Sequence, residues 1–429
     1  MASNPALAVV GTFILVISVA LCLYRAVRGA ENMSRRISAT KHYAVVPDRV
    51  IRHATIERFF AEMANEKPIR FTPGQLQGYT SNYSSRLGAG GFGTVYKGAL
   101  PNGLAVAVKV LHGDLNQRSE EQFMAEMGTI GRTHHINLVR LFGFCFDASV
   151  RALVYEFMPH GALDAYLFNG AAGVGMATVA AITTGVARGL RYLHEECQQK
   201  IIHYDIKCGN VLLDGTLTPK VADFGLARLV DRADTHVSVS GVRGTPGYAA
   251  PELWMRSGVT EKCDVYSFGM LLLEAVGRRR NFDEAAPESQ QWFPKLAWTR
   301  YESGELVELA MPSSRDDHGV DAVDEPHQQL CKELAERMCK VAFWCVQQQP
   351  GARPPMGAVV KMLEGEMDIA LPPNPFRHLM DDVPVDNLWT TMTSSVNTAS
   401  ASAMTSSVNT ASASAEDGIS RGSNEIVSL

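Results

Sequence analysis

The chain has 429 residues, too many for one average domain, and its 46% hydrophobic and 20% charged content is that of a folded globular protein. A formal net charge of −5, with a pI near 6.2, supplies no global basic field and argues against a nucleic-acid partner. Eight cysteines occur without any Cys-x-x-Cys spacing, so neither a zinc site nor a disulfide framework is signalled and buried reduced thiols are expected.

Taken in chain order, residues 1–5 are a short stub and residues 6–24, Ala6 to Tyr24, carry no charge. At 1.5 Å per residue such a helix nearly crosses a hydrocarbon core of about 30 Å. Arg25, Arg28, Arg35, Arg36 and Lys41 follow it and nothing basic precedes it, so the positive-inside rule predicts one transmembrane helix with the rest of the chain cytoplasmic. A cleaved signal peptide fits less well, because a basic leader and a small-residue cleavage site are both missing. Residues 25–70 read as a polar juxtamembrane linker with an amphipathic patch from Ile56 to Met63.

From 71 to 370 apolar periodicity continues without a linker, which predicts one folded α+β unit. Its first part is strand-like: Thr94–Lys97 and Leu104–Lys109 flank the turn Pro101-Asn102-Gly103. The remainder is helical, with Val179, Ile182, Val186, Leu190 and Leu193 on one face and Leu334, Met338, Val341, Ala342 and Cys345 on another. Residues 371–429 open on Leu371-Pro372-Pro373 and contain a 12-residue Ser/Thr/Ala-rich segment twice in tandem, from Met392 and Met404. So little bulky apolar surface cannot form a core, and a disordered tail is expected.

Gly88, Ala89, Gly90, Gly91, Phe92 and Gly93 form a G-x-G-x-x-G run that two folds share. In a dinucleotide fold it opens a helix. Here Thr94-Val95-Tyr96-Lys97 follows, an alternating β-branched segment, so the glycines are expected between two strands with their amides over phosphates. Lys109 ends the next strand, and an inward lysine needs a partner; Glu126, in the amphipathic run Glu121–Met127, is the best candidate. In His203-Tyr204-Asp205-Ile206-Lys207-Cys208-Gly209-Asn210, Asp205 can accept a hydroxyl proton, Lys207 can neutralise a phosphoryl group and Asn210 can ligate a metal. Asp223-Phe224-Gly225 supplies a second metal ligand, and magnesium, with its preference for oxygen, needs few others from protein. Ala250-Pro251-Glu252 follows about 25 residues on.

In these motifs, together with Asp264–Gly269 and Arg353-Pro354-Pro355-Met356, the chain resembles the protein kinases from roughly Phe71 to Ile369, and among them the plant receptor-like kinases. Lys207 and Gly244-Thr245-Pro246-Gly247-Tyr248 resemble the serine/threonine type, and Glu288–Pro294 the leaf-rust-resistance-kinase-like and thaumatin-like receptor kinases. The resemblance implies a bilobal fold, with a small β-rich lobe over 71–158 and a large helical lobe over 159–370. It implies ATP held by Leu87, Gly88–Gly93, Val95, Ala107, Lys109, Glu156, Met158 and Leu212, with magnesium, or manganese, on Asn210 and Asp223. It also implies an activation segment carrying Thr235, Ser238, Ser240 and Thr245, an ion pair of Arg353 with Glu252, and an Asp264 that tethers the catalytic loop. Protein substrates and a plasma-membrane location follow from it. Because at most five residues precede the apolar span, sensing is expected to fall to a separate co-receptor or to an ectodomain this sequence lacks.

Three departures qualify the resemblance. Tyr204 stands where most members place an arginine that clamps an activation-loop phosphate, as in the so-called non-RD kinases. Cys208-Gly209 replaces a commoner pair containing proline, and Tyr155, before the expected hinge Glu156-Phe157-Met158, narrows access behind adenine. Other residues carry less: His134-His135 lacks a third metal ligand, Arg278-Arg279-Arg280 reads as a solvated run, and the Asn32-Met33-Ser34 sequon falls on the cytoplasmic side. A pseudokinase scaffold is the competing class, opposed by the presence of Lys109, Asp205, Asn210 and Asp223; a dehydrogenase is opposed by the strand after the glycines. Without the arginine clamp, alanine at Thr235, Ser238 and Ser240 together should leave phosphoryl transfer measurable, and its complete loss in a radiolabelled-phosphate assay would overturn that expectation.

Overall fold

The computed structural model describes residues 68–91, 93–112, 117–168, 175–232, 244–255, 258–306 and 325–379. The expected membrane helix, the linker patch, Phe92, Thr235, Ser238, Ser240 and the tandem repeats lie outside them. Among the described residues no helix is long and apolar enough to cross a membrane.

Six strands form the principal sheet: β1 (Ile69–Arg70), β2 (Arg86–Gly90), β3 (Gly93–Ala99), β4 (Ala105–Leu111), β5 (Leu141–Phe146) and β6 (Arg151–Glu156), in the order β1-β5-β6-β4-β3-β2. β3 and β4 pair antiparallel with Val95 opposite Lys109, and β4 pairs with β6 with Lys109 opposite Leu153. Their turn is the predicted Pro101-Asn102-Gly103, where Gly103 takes φ +86° and Asn102 accepts the Leu104 amide at 3.2 Å. Alternation puts Val106 and Val108 on one face of β4, packed with Phe71, Leu76, Phe142 and Val154. Ala107 and Lys109 occupy the opposite face and are buried too, so β4 is covered on both sides. The helix α1 (Pro73–Tyr79) starts with a reciprocal cap, Thr72 Oγ1 accepting the Gln75 amide and Gln75 Oε1 the Thr72 amide. Gly143 is obligatory where β1 crosses β5, since a Cβ there would stand 2.3 Å from the Ile69 carbonyl oxygen.

The described residues divide into two compact units, one holding 68–87, 93–112 and 140–157 and the other 88–91, 117–139 and 158–379. This corrects the expected contiguous boundary at 158. The helix α2 (Gln117–Thr129), which carries Glu126, packs on the short turn Phe224–Leu226 and on the strand β10 (Arg228–Val230), so it belongs with the helical unit. There follow α3 (Leu163–Phe168), α4 (Met176–Arg191), the short strands β7 (Lys200–Ile202), β8 (Val211–Leu213) and β9 (Pro219–Val221), then α5 (Pro251–Met255), α6 (Lys262–Gly277), α7 (Phe293–Glu302), α8 (Glu325–Cys345) and α9 (Met356–Glu364). Val179, Ile182, Val186 and Leu190 of α4 are buried as their spacing predicted, and a π-helical turn, Tyr192–Glu196, then buries both Leu193 and His194.

Every residue of α6 from Cys263 to Val276 is buried, including Asp264, Ser267 and Glu274, so this helix is the axis of the unit and its polar groups must find partners. Gly269 lets α8 approach it, since a Cβ would meet Cys345 Cβ at 2.7 Å. The folded part also continues beyond the expected limit at 370. Phe376 is buried against Trp292 and Phe343, Gln347 donates to the Pro373 carbonyl at 2.8 Å, and Trp344 to that of Ala370 at 2.9 Å. The proline-rich strap offers one large aromatic for the core, which is enough to fix it.

Arg353 closes the helical unit. Its guanidinium is 1% exposed and all five N–H donors are used: two on Glu252 at 2.6 and 2.9 Å, and three on the carbonyls of Gln347, Lys262 and Gln348. The pair expected from the sequence is therefore present, and it ties α5 to the turn before α9. Arg353→Met leaves the Glu252 carboxylate buried and unpaired, a loss of about 3–5 kcal/mol. Calorimetry should record a fall in Tm of roughly 10 °C, whereas Arg353→Lys, which keeps charge but not the fork, should fall between.

Candidate active site

The loop from His203 to Asn210 is positioned by one buried carboxylate. Asp264 Oδ2 accepts the His203 amide at 2.7 Å and Oδ1 the Tyr204 amide at 2.8 Å, while His194 Nε2 meets Oδ2 at 2.9 Å. Burial alone would push the Asp264 carboxyl up. The hydrogen bond and charge of His194, together with His203 and its amide, outweigh burial and hold it below the usual range. It is therefore ionised, and Nε2 of His194 carries the hydrogen. The tether implied by the resemblance is thus present.

His203 orients the next residue. Its Nδ1 accepts the Asp205 amide at 3.2 Å, so the ring hydrogen sits on Nε2, which donates to the Ala222 carbonyl at 3.0 Å; the ring packs edge-on against Phe224 at 4.8 Å. No local sequence signal assigns His203 this role. Tyr204 is buried with φ +69°, and its carbonyl leaves room only for a glycine opposite: a Cβ on Gly244, itself at φ +92°, would stand 3.0 Å away.

Around Asp205 the predicted polar residues converge. Asn210 Nδ2 donates to the Asp205 carbonyl at 2.8 Å and to Oδ2 at 2.9 Å, and Lys207 Nζ lies 3.2 Å from Oδ2. Thr245, expected only as an activation-segment hydroxyl, is part of this cluster. Its hydroxyl donates to Asp205 Oδ1 at 2.5 Å and accepts from Lys207 Nζ at 3.0 Å. Nothing in its spacing from Asp205 announces this contact; the Gly-Thr-Pro-Gly-Tyr motif was its one signal.

Asn210 Oδ1 is buried and has no hydrogen-bond partner among the described residues. With its amide nitrogen committed to Asp205, that oxygen and the buried carboxylate of Asp223 are hard oxygens of the kind a divalent cation takes. Asp223 sits at φ +62°, ψ +72°, immediately before Phe224-Gly225. A Cβ on Gly225 would stand 3.2 Å from Glu126 Oε1 and 3.4 Å from Asp223 Oδ1, so Glu126 is fully buried against this turn. In the other unit Lys109, Val95 and Ala107 are buried, Leu87 is exposed, and Glu156 accepts the Arg140 amide at 2.7 Å; Gly88–Gly91, Met158 and Leu212 lie in the helical unit.

A second group fixes the far end of the 244–248 segment. The Tyr248 hydroxyl donates to Glu274, whose other oxygen accepts the Asn281 amide at 2.9 Å, and Ser267 donates to the Tyr248 carbonyl at 2.8 Å. Cys208 is fully buried, and burial first, and then the nearby Glu274 carboxyl, raise its thiol well above the usual range. Two other features are structural: His135 stacks on Tyr192 at 4.9 Å, and Arg280 approaches Asp164 at 3.8 Å. If Thr245 holds Asp205 and Lys207 in register, Thr245→Val should lower kcat about 10–100-fold, the worth of one hydrogen bond to a charged group, with little change in the KM for ATP. Thr245→Ser should restore most of it.

Comparison with known proteins agrees with this geometry. A G-type lectin S-receptor-like serine/threonine-protein kinase of Arabidopsis thaliana is 44% identical over 72% of this chain and 36% of its own length. The rust resistance kinase Lr10 of Triticum aestivum is 39% identical over 76% of the chain and 50% of its own length. A leaf rust 10 disease-resistance locus receptor-like protein kinase-like protein of Arabidopsis thaliana is 42% identical over 72% and 47%. The chain thus spans half or less of the length of each of these relatives. Residues 82–363 match the protein tyrosine and serine/threonine kinase family, and the chain belongs to it.

Proposed function

We propose that this chain transfers the γ-phosphoryl group of ATP to serine or threonine hydroxyls of proteins, as the cytoplasmic kinase of a membrane-anchored, plant receptor-type signalling system. The observation that carries this reading is the Asp205 cluster: a carboxylate held by Asn210, Lys207 and Thr245, beside an Asn210 oxygen with no partner among the described residues. Asp205 orients the acceptor hydroxyl and takes its proton, and Lys207 stabilises charge on the transferred group. Asn210 and Asp223 would hold magnesium, which neutralises charge between the nucleotide's phosphates. The nucleotide roles of Leu87, Gly88–Gly93, Val95, Ala107, Lys109, Glu156, Met158 and Leu212, and a pairing of Lys109 with Glu126, rest on the motifs and on family membership. The anchor at 6–24, a plasma-membrane location, an ectodomain-bearing co-receptor and a place among the rust-resistance-type kinases rest on sequence and on the names of the relatives.

The test is phosphate incorporation with magnesium and ATP. Asp205→Asn keeps the shape but cannot take a proton, and should lose about 10²–10⁴-fold in kcat while retaining nucleotide affinity. Equal incorporation by both proteins would leave a nucleotide-binding scaffold as the better description.

A further inference from the structure

The three arginines that follow α6 do not form one solvated run, because each has a different setting. Arg278 turns the chain at φ +49°, and Arg279 lies over the Phe293 ring at 5.5 Å and donates to the Gln290 carbonyl at 3.0 Å. Arg280 faces solvent. Its side chain is 62% exposed, with the guanidinium 5.1 Å from the centre of the Phe168 ring and Nη2 3.8 Å from Asp164 Oδ2. At that distance Asp164 orients the arginine without accepting a hydrogen bond, and its Oδ1 already accepts the Ala165 amide at 2.8 Å. All five N–H donors of Arg280 therefore stand open among the described residues.

Two routes tie this open guanidinium to the catalytic centre. Asp164 and Phe168 belong to α3, which packs on the turn Cys208–Asn210, and Asn210 donates to Asp205. On the other side Asn281 is buried, its amide donating to Glu274 at 2.9 Å and its Nδ2 to the Met270 carbonyl at 2.8 Å. Glu274 also receives the Tyr248 hydroxyl, from the same 244–248 segment whose Thr245 donates to Asp205. Burial raises the Cys208, Tyr248 and Glu274 groups, and the Arg280 charge opposes it at each. The backbone at 280 is thus pinned to α6 while the planar fork rests on an aromatic face, so little freedom is lost when it pairs.

We propose that Arg280 reads an acidic residue of the protein substrate, taking its carboxylate in a bidentate pair close in sequence to the acceptor hydroxyl. This rests on the kinase reading above and adds a substrate class to it: serine or threonine flanked by aspartate or glutamate. The exposed, separated pair with Asp164 is weak, and a carboxylate that meets the fork squarely prevails over it.

The test uses the full chain with magnesium, ATP and serine peptides. Each peptide has alanine at all flanking sites except one, which carries Glu, Lys or Ala in turn from three residues before the serine to three after. At one site Glu should raise kcat/KM about tenfold over Ala, and Lys should lower it. Arg280→Gln should bring the Glu-to-Ala ratio at that site close to one, and Arg280→Glu should invert it in favour of Lys. Each ratio is taken within one protein, so a smaller folded fraction leaves it unchanged. Equal transfer for Glu, Ala and Lys at every site, or a Glu preference that Arg280→Gln keeps, overturns this proposal alone. Absence of transfer to every peptide overturns it together with the kinase reading.

Discussion

The Asp264 carboxylate is the constraint on which the catalytic centre depends. Removing a charge from water is costly unless each lone pair is met, and here two backbone amides and an imidazole meet it. Its place in the first turn of α6 adds the favourable end of the helix dipole. α6 is buried along its length, so the carboxylate stands on a platform that cannot yield locally. Two consecutive amides pinned to one carboxylate fix both the position and the twist of the loop entering Asp205. The left-handed backbone of Tyr204 is held from both sides of the peptide, by Asp264 and by the close approach of Gly244.

From that platform the 244–248 segment is clamped at two points. Thr245 bridges Asp205 and Lys207, and Tyr248 reaches Glu274, which also accepts the Asn281 amide. Burial raises the Glu274 carboxyl above its usual range, against the hydrogen bonds it accepts from Tyr248 and the Asn281 amide. The catalytic loop and the segment facing it are joined by hydrogen bonds through Thr245, without the arginine clamp that Tyr204 removes.

Much of this was legible because chemistry restricts residue type at fixed spacing. The roles proposed within Asp205–Asp223, a base, a phosphate-neutralising lysine and two metal ligands, admit few residue types, and the periodicity of α4 gave its buried face. The strand after the glycines was readable from Thr94–Lys97 because β-branched alternation is a local signal. What was not legible depends on contacts distant in sequence. Thr245 lies 40 residues from Asp205 and Glu274 lies 26 from Tyr248, and no local pattern reports such pairs. The grouping of α2 with the helical unit, and the docking of Phe376 from a proline-rich strap, were likewise decided by packing alone.

The inventory around Asp205 has a stereochemical consequence. A carboxylate offers about four lone-pair directions. Asn210 takes one on Oδ2 and Thr245 one on Oδ1, while the Lys207 ammonium stands 3.2 Å from Oδ2 as a charge. The carboxylate is thus held through both oxygens by groups from two segments, and its orientation is fixed while lone pairs stay open.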